Sequence, residues 1–148
     1  MLLSAIIFLP LVFALLIGLA PKSLAKPVTL VASVFHFIFS LKLFNHFDSS
    51  TSHLQLVERI PWLPELGIQY FVAIDGISFW LVLLTTFLTP IVVAASWSTI
   101  NSQVKAFHIS MLVLETAMIG SFLAMDTILF YVFFELSLIP MYFIVGIW

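Results

Sequence analysis

Five stretches of the chain are each apolar over about the twenty residues that a helix needs to cross a hydrocarbon core about 30 Å thick. They run from Leu2 to Ala20, Pro27 to Phe44, Ile77 to Ala95, Phe107 to Met125 and Thr127 to Trp148. In lipid every backbone N–H and C=O must find a partner inside the protein, which leaves the helix as the structure for separate spans of this length. The reading is an all-α fold, a polytopic transmembrane helix bundle of about five membrane-spanning helices. Composition agrees: 63% of the 148 residues are hydrophobic and 8% are charged, too few polar side chains to cover an aqueous surface. The first run is expected to be a retained helix and not a cleaved leader. It outlasts the apolar core of a signal peptide, no Lys or Arg precedes it, and Pro21 stands where cleavage would fall.

Several functions are excluded at this stage. Five Lys plus Arg and a formal net charge of -2 cannot hold a nucleic-acid backbone. The chain has no cysteine, so thiol catalysis and Cys-ligated iron–sulfur clusters are absent from it. No phosphate loop, nucleophile motif or metal-ligand spacing is present.

The links between runs set the topology. Pro21 to Lys26 is a tight turn carrying Lys22 and Lys26, and residues 96–106 carry Lys105, on the same side of the membrane. The opposite side receives the N-terminus, the long link from Asn45 to Gly76 and the turn at Asp126. Lys42 and Arg59 are diluted there by Asp48, Glu58, Glu65, Asp75 and Asp126. The positive-inside rule then places the lysine-bearing links in the cytoplasm and the N-terminus and long link in the periplasm. Within that long link, Gln55 to Ile60 and Ile68 to Ala73 read as short strands of a hairpin around Pro61, Pro64 and Gly67, with Trp62 at the interface. Asp75 and Asp126 stand at the starts of helical runs and read as N-caps.

Two acidic residues fall inside the runs: Glu115 in the fourth and Glu135 in the fifth. A carboxylate at the bilayer centre costs several kcal/mol unless it is protonated, paired or hydrated. Each lies roughly 13 Å from the start of its helix, so both reach the middle. The short turn at Asp126 makes the two helices antiparallel neighbours, and both carboxyls are expected at similar depth in one bundle interior, coupled through like charge. Glu135 and Glu115 are the candidate proton-handling residues; the competing reading for each is a protonated group hydrogen-bonded between helices. His36 and His108, in or at the edge of helices, read first as satisfied helix–helix contacts, with proton relay through the imidazoles as the competing reading. Pro90 and Pro140 free the carbonyls of Thr86 and Leu136, and the second opens a turn directly after Glu135.

One segment carries a specific resemblance. Phe133-Phe134-Glu135-Leu136-Ser137-Leu138-Ile139-Pro140-Met141-Tyr142-Phe143 resembles the fifth-helix signature of subunit M of the proton-pumping NADH:quinone oxidoreductase, respiratory complex I. Ala73-Ile74-Asp75-Gly76-Ile77-Ser78, Leu114-Glu115 with Met118-Ile119-Gly120, Phe122 to Asp126 and Trp62-Leu63-Pro64 agree with it. The family's members are antiporter-like subunits of about fourteen helices with inverted repeats. The resemblance covers only the first five, so this chain corresponds to an amino-terminal part, residues 1-148, with the remainder of the family's chain absent: a truncated product, an incomplete sequence or one piece of a split subunit.

The resemblance implies a multi-pass subunit of a bacterial inner membrane that translocates protons beside other membrane subunits of complex I. It implies no cofactor on this chain, with FMN, iron–sulfur clusters, NADH and quinone handled by partner subunits. Glu135 would be the charge-carrying glutamate of the first half-channel, paired with a lysine two helices further on that this sequence does not contain. The rival readings are a subunit of a multi-subunit cation/proton antiporter and a non-transporting remnant.

Overall fold

The computed structural model describes every residue from Met1 to Trp148. Its main elements are the helices α1 (Leu2–Leu19) and α2 (Ala25–Ser40), a one-turn α3 (Leu43–His46), the strands β1 (Gln55–Leu63) and β2 (Ile68–Ile74), and the helices α4 (Gly76–Ala95), α5 (Val104–Leu123) and α6 (Thr127–Ile147). Five helices are long and apolar enough to cross a membrane, as the sequence requires. The second run differs in detail. α2 stops at Ser40 and a turn separates it from α3, while Pro27 sits within the first turn of α2, where its missing N–H leaves no internal bond unmade.

The helices are patterned inside out. On α2 the buried face carries Thr29, Ser33, His36 and Ser40, whereas Val31, Val34, Phe35 and Ile38 are exposed. Such an arrangement is stable only where the surroundings are as apolar as those side chains. Small and hydroxylated residues on the inner faces let backbones approach, and the hydroxyls bond to helix carbonyls or across helices. Thr29 donates to Ala25 O at 2.7 Å, Ser33 to Leu30 O at 2.9 Å, and Ser40 and Thr86 share a bond of 2.8 Å between α2 and α4.

α5 is the central helix, with 50% of its spanning window buried against 17% for α6. It packs on α1, α2, α4 and α6. The larger apolar core joins Leu3, Ile6 and Ile7 of α1 to Val82 of α4, Ile119 of α5 and Phe133 of α6. A second, smaller cluster of Ala14, Ile17, Ala25 and Leu112 closes the other end.

β1 and β2 form the antiparallel hairpin expected in the long link, pairing Glu58 with Val72 and Ile60 with Tyr70. β1 continues through Pro61 to Leu63, which an edge strand with no further neighbour permits. Gly67, at φ 70°, closes the turn in the left-handed region that favours glycine. The free edge of β2 also captures the α5–α6 link: Ala124 bridges to Val72, and the Met125 N–H donates to Phe71 O at 2.8 Å. This pairing ends α5 at Leu123, two residues before the end of the apolar run.

Both aspartates cap as expected. Asp75 Oδ1 accepts from Ile77 N–H at 3.0 Å and Ser78 N–H at 2.7 Å, and Ser78 completes a capping box. Asp126 Oδ1 accepts from Ile128 N–H at 2.9 Å and Leu129 N–H at 3.1 Å. The lysine-bearing links do share one end. Lys26 Nζ donates to Trp97 O at 2.6 Å, and Lys105 Nζ donates to Gly18 O at 2.7 Å and Ala20 O at 2.9 Å, covering carbonyls at the end of α1.

α6 seats on α5 where Gly120 faces Phe133. A Cβ at Gly120 would come within 2.3 Å of the Phe133 ring, whereas one at Gly18 would meet nothing within 4 Å. Gly120→Ala is therefore expected to destabilise the α5–α6 contact by about 1–3 kcal/mol. Gly18→Ala should stay within about 0.5 kcal/mol of the parent. Unfolding of the two variants in the same lipid–detergent mixture checks this, and equal stability of both would refute the close contact.

Candidate functional site

α1 contributes a proline that opens its own backbone. Pro10 has no N–H, so the carbonyl of Ile6, four residues earlier, loses its helical partner. His36 of α2 fills the gap: its Nε2 lies 3.0 Å from Ile6 O. A carbonyl only accepts, so Nε2 carries a hydrogen and the imidazole is held in one orientation.

The other ring nitrogen, Nδ1, lies 2.9 Å from Glu115 Oε1 of α5. Both side chains are buried, each at 1% exposure. With Nε2–H committed to Ile6, the contact can hold one proton in two ways: on Glu115, donated to a neutral imidazole, or on Nδ1, donated to the carboxylate. A proton can cross this bond without any heavy atom moving. The pair thus resolves the cost of a carboxyl at mid-membrane by pairing it, and the neighbouring α1, α2 and α4 exclude solvent from it.

The pair is incompletely satisfied. Glu115 Oε2 and the Thr116 hydroxyl are buried and have no partner. Both ring nitrogens of His108 are buried without a partner as well, which corrects the expectation of a satisfied helix–helix contact at that position. His36, by contrast, is such a contact. A buried polar atom left without a bond costs about 1–3 kcal/mol, so these four atoms are where the bundle has hydrogen-bonding capacity to spare.

Glu135 sits elsewhere. On α6 the buried positions are Leu129, Phe133 and Pro140, and Glu135, two residues past Phe133, points about 200° round the helix from it. It is exposed, lining a shallow groove of about 610 Å³ with Tyr131, Leu138, Ile139 and Tyr142. The expectation that Glu115 and Glu135 share one interior is therefore corrected for this five-helix unit. α5 turns Glu115 toward α1 and α2, while α6 meets α5 through the face that carries Phe133.

Sequence reasoning missed Glu58 as a structural carboxylate. It reaches from β1 to the start of α1, where Oε1 accepts from Leu3 N–H at 2.9 Å and Oε2 from Ser4 N–H at 3.2 Å and from the Ser4 hydroxyl. The Met1 ammonium lies 2.6 Å from Oε1. A distant strand thereby caps a membrane helix, a pairing that no local motif signals. Pro10 was equally silent, because the partner it prepares lies on another helix. No three His, Asp or Glu side chains converge where a metal ion could be held.

Burial pushes the Glu58 carboxyl up, but the Met1 ammonium, the Ser4 hydroxyl and the two backbone donors outweigh it and hold the group below the ordinary carboxylate value. A carboxyl depressed in the folded state stabilises above its unfolded pKa and loses that contribution as pH falls through the folded one. Hairpin docking on α1 should accordingly weaken on acidification below the usual carboxylate range. Glu58→Gln should be less stable at neutral pH and lack that acid-dependent loss. Hydrogen exchange at Leu3 and Ser4 against pH reads this, and identical profiles for the two proteins would refute the cap.

The comparisons agree over most of the chain. Residues 1–125 match the family described as NADH-ubiquinone oxidoreductase chain 4, amino terminus. The chain is 43% identical over 149 residues to NADH-ubiquinone oxidoreductase chain 4 of Arabidopsis thaliana, covering 99% of this chain and 30% of that one. It is 45% identical over 154 residues to NADH-quinone oxidoreductase subunit M of Rhodobacter capsulatus, again covering 99% and 30%. Among solved structures, respiratory complex I from Thermus thermophilus with bound NADH contains a chain that superimposes with a TM-score of 0.76 at 25% identity, covering 95% of this chain and 27% of that one. The chain thus spans about a third of the length of these relatives.

Proposed function

Because the chain belongs to the NADH-ubiquinone oxidoreductase chain 4 family, we propose that it acts as the amino-terminal part of a proton-translocating membrane subunit of an NADH:quinone oxidoreductase. The observation that carries the reading is the buried His36–Glu115 bond, which holds a transferable proton inside the bundle. Electron carriers, NADH and quinone are assigned to partner subunits. This chain contributes carboxyl and imidazole groups that take up and release protons. The proposed location is a bacterial inner membrane with the N-terminus and the β1–β2 hairpin in the periplasm, following the charge count of the links.

Glu135 is proposed as the second proton-carrying group. An ionised carboxylate facing lipid is costly, so its face of α6 is one that needs protein or water against it. Members of this family are longer, and further helices laid on that face would enclose Glu135 and supply a cationic partner for it. Coupling between Glu115 and Glu135 then runs through such an assembly, since the two carboxyls occupy different faces here.

In a full-length, assembled complex, Glu135→Gln is expected to leave assembly and the electron-transfer subunits intact and to lower NADH-driven proton uptake strongly, with coupled turnover falling alongside. Glutamine keeps shape and polarity but cannot ionise. Glu135→Asp should retain part of the activity. Proton uptake in inverted vesicles, normalised to assembled complex, is the measurement, and wild-type pumping by the glutamine variant would make Glu135 a packing residue.

The absence of native cysteine makes orientation directly measurable. Thr51→Cys should react with an impermeant maleimide added from the periplasmic side, and Leu24→Cys should be shielded. The reverse pattern would invert the topology.

A further inference from the structure

We propose that a hydrated proton path runs between α2 and α5, from the lysine-bearing end of the bundle to the His36–Glu115 pair, with His108 as its first station and water as its mobile ligand. The inference rests on the reading of Glu115 as a proton-handling group and adds the route by which protons reach it.

The two helices are in register. His36 lies eleven residues beyond the start of α2 at Ala25, and Glu115 eleven beyond the start of α5 at Val104. The two helices begin at the same end of the bundle, tied together by Lys26 on Trp97 O and Lys105 on Gly18 O and Ala20 O. The same offset puts Thr29 level with His108 and Ser33 level with Leu112. Thr29, Ser33 and His36 form one buried face of α2, and His108, Leu112 and Glu115 form one buried face of α5, both at helical spacing. The layers from the membrane end inward are therefore Thr29 with His108, Ser33 with Leu112, and His36 with Glu115.

Each layer offers polar atoms with capacity to spare. Both His108 nitrogens, Glu115 Oε2 and the Thr116 hydroxyl are unpartnered. The Thr29 and Ser33 hydroxyls give their hydrogens to carbonyls of their own helix, at 2.7 and 2.9 Å, and so keep lone pairs to accept from water. A buried water needs two to four such partners, which the successive layers supply. Leu112, against Ala14, Ile17 and Ala25, is the apolar wall the path must pass. It narrows the path where hydration has to bridge from His108 to Glu115. At the end of the bundle an open polar groove of about 620 Å³, lined by Lys22, Ser23, Asn101, Gln103 and Lys105, lies one turn from His108 and provides the mouth.

The transfer balances. A proton from the mouth binds one nitrogen of His108, and the proton on the other nitrogen leaves to water beside Ser33. That water delivers a proton to Glu115 Oε2 while the proton on Oε1 moves to His36 Nδ1. The product is a protonated carboxyl beside an imidazolium whose Nε2–H remains on Ile6 O. Reversal returns one proton to the path. The region is enclosed by α1, α2, α4 and α5 of this chain.

Deuterium exchange tests the route without turnover. The lipid-embedded full-length protein is transferred to heavy water, and the infrared signal of the Glu115–His36 proton is isolated as the difference from Glu115→Gln. Exchange is expected in the wild type. It should slow roughly tenfold in His108→Phe and in Ser33→Val, which remove a station and fill the middle layer, and quicken by a similar factor in Leu112→Ala. Loss of fold would accelerate exchange, so slowing cannot come from misfolding. Wild-type rates in both His108→Phe and Ser33→Val, or no exchange in the wild type, would overturn the path. NADH-driven pumping is measured separately, and its persistence in Glu115→Gln would overturn the role of Glu115 in pumping while the exchange rates still decide the route.

Discussion

The interaction on which the rest of the bundle depends is the three-helix junction of Ile6, His36 and Glu115. Pro10 frees one carbonyl in α1, the imidazole of α2 takes it at 3.0 Å, and the carboxyl of α5 closes the chain at 2.9 Å. None of these groups is tolerable alone in an apolar interior. An unpaired carbonyl, an uncommitted imidazole and a lone carboxylate would each be destabilising. Together they fix the relative rotation and height of three helices, and the in-register alignment of α2 with α5 follows. The junction lies between the large apolar cluster around Ile6 and Ile119 and the small one around Leu112, which seal it from either end.

Around that junction the fold is held by close approach and not by exclusion of water, since lipid is as apolar as the side chains it meets. Gly120 admits the Phe133 ring, and the hydroxyls of Ser40 and Thr86 join α2 to α4. The loop elements serve the same end. The β1–β2 hairpin uses Glu58 to cap the start of α1 and its free edge to end α5, so two helices each receive one terminus from one small sheet. Asp75 and Asp126 set the starts of α4 and α6 by local caps. Capping from a distance and capping from the neighbouring residue are two solutions to the same problem of unpaired helix-end groups.

Those two solutions differ in how legible they are. Five spans, the hairpin and both aspartate caps are readable because each is written in contiguous residues: apolar length, turn residues and a carboxylate placed before a helix. Glu58 and Pro10 are not, because each acts on a partner fifty-five or twenty-six residues away along the chain, and nothing in their immediate neighbours distinguishes them. The candidate site lies in between. Glu115 and Glu135 stand out as charges inside apolar runs, but depth along a helix axis says nothing of rotation about it. Two glutamates at matching depth can face opposite ways, and the contact between Gly120 and Phe133 makes these two do so. His36 is visible as an imidazole in a membrane helix, and its tautomer becomes fixed only once the proline of another helix is set beside it.

The contrast between the two glutamates is also one of electrostatic surroundings. A proton carrier must change charge, and each change inside a low-dielectric medium is expensive unless a partner compensates it. Glu115 carries its compensation with it: His36 can take the proton across one hydrogen bond, so the charge separates by a bond length and the pair as a whole stays neutral. α1, α2, α4 and α5 pack around it. On its own face of α6 Glu135 has the Tyr131 hydroxyl beside it and no basic group, in a groove otherwise lined almost wholly by apolar and aromatic side chains. Within a locally compensated pair a proton crosses between partners at constant net charge, whereas a carboxyl without such a partner changes the charge of its site with every proton it takes or gives. The first arrangement lies among packed helices and the second on the exposed face of α6, so electrostatic compensation for Glu135 would have to come from groups beyond that face.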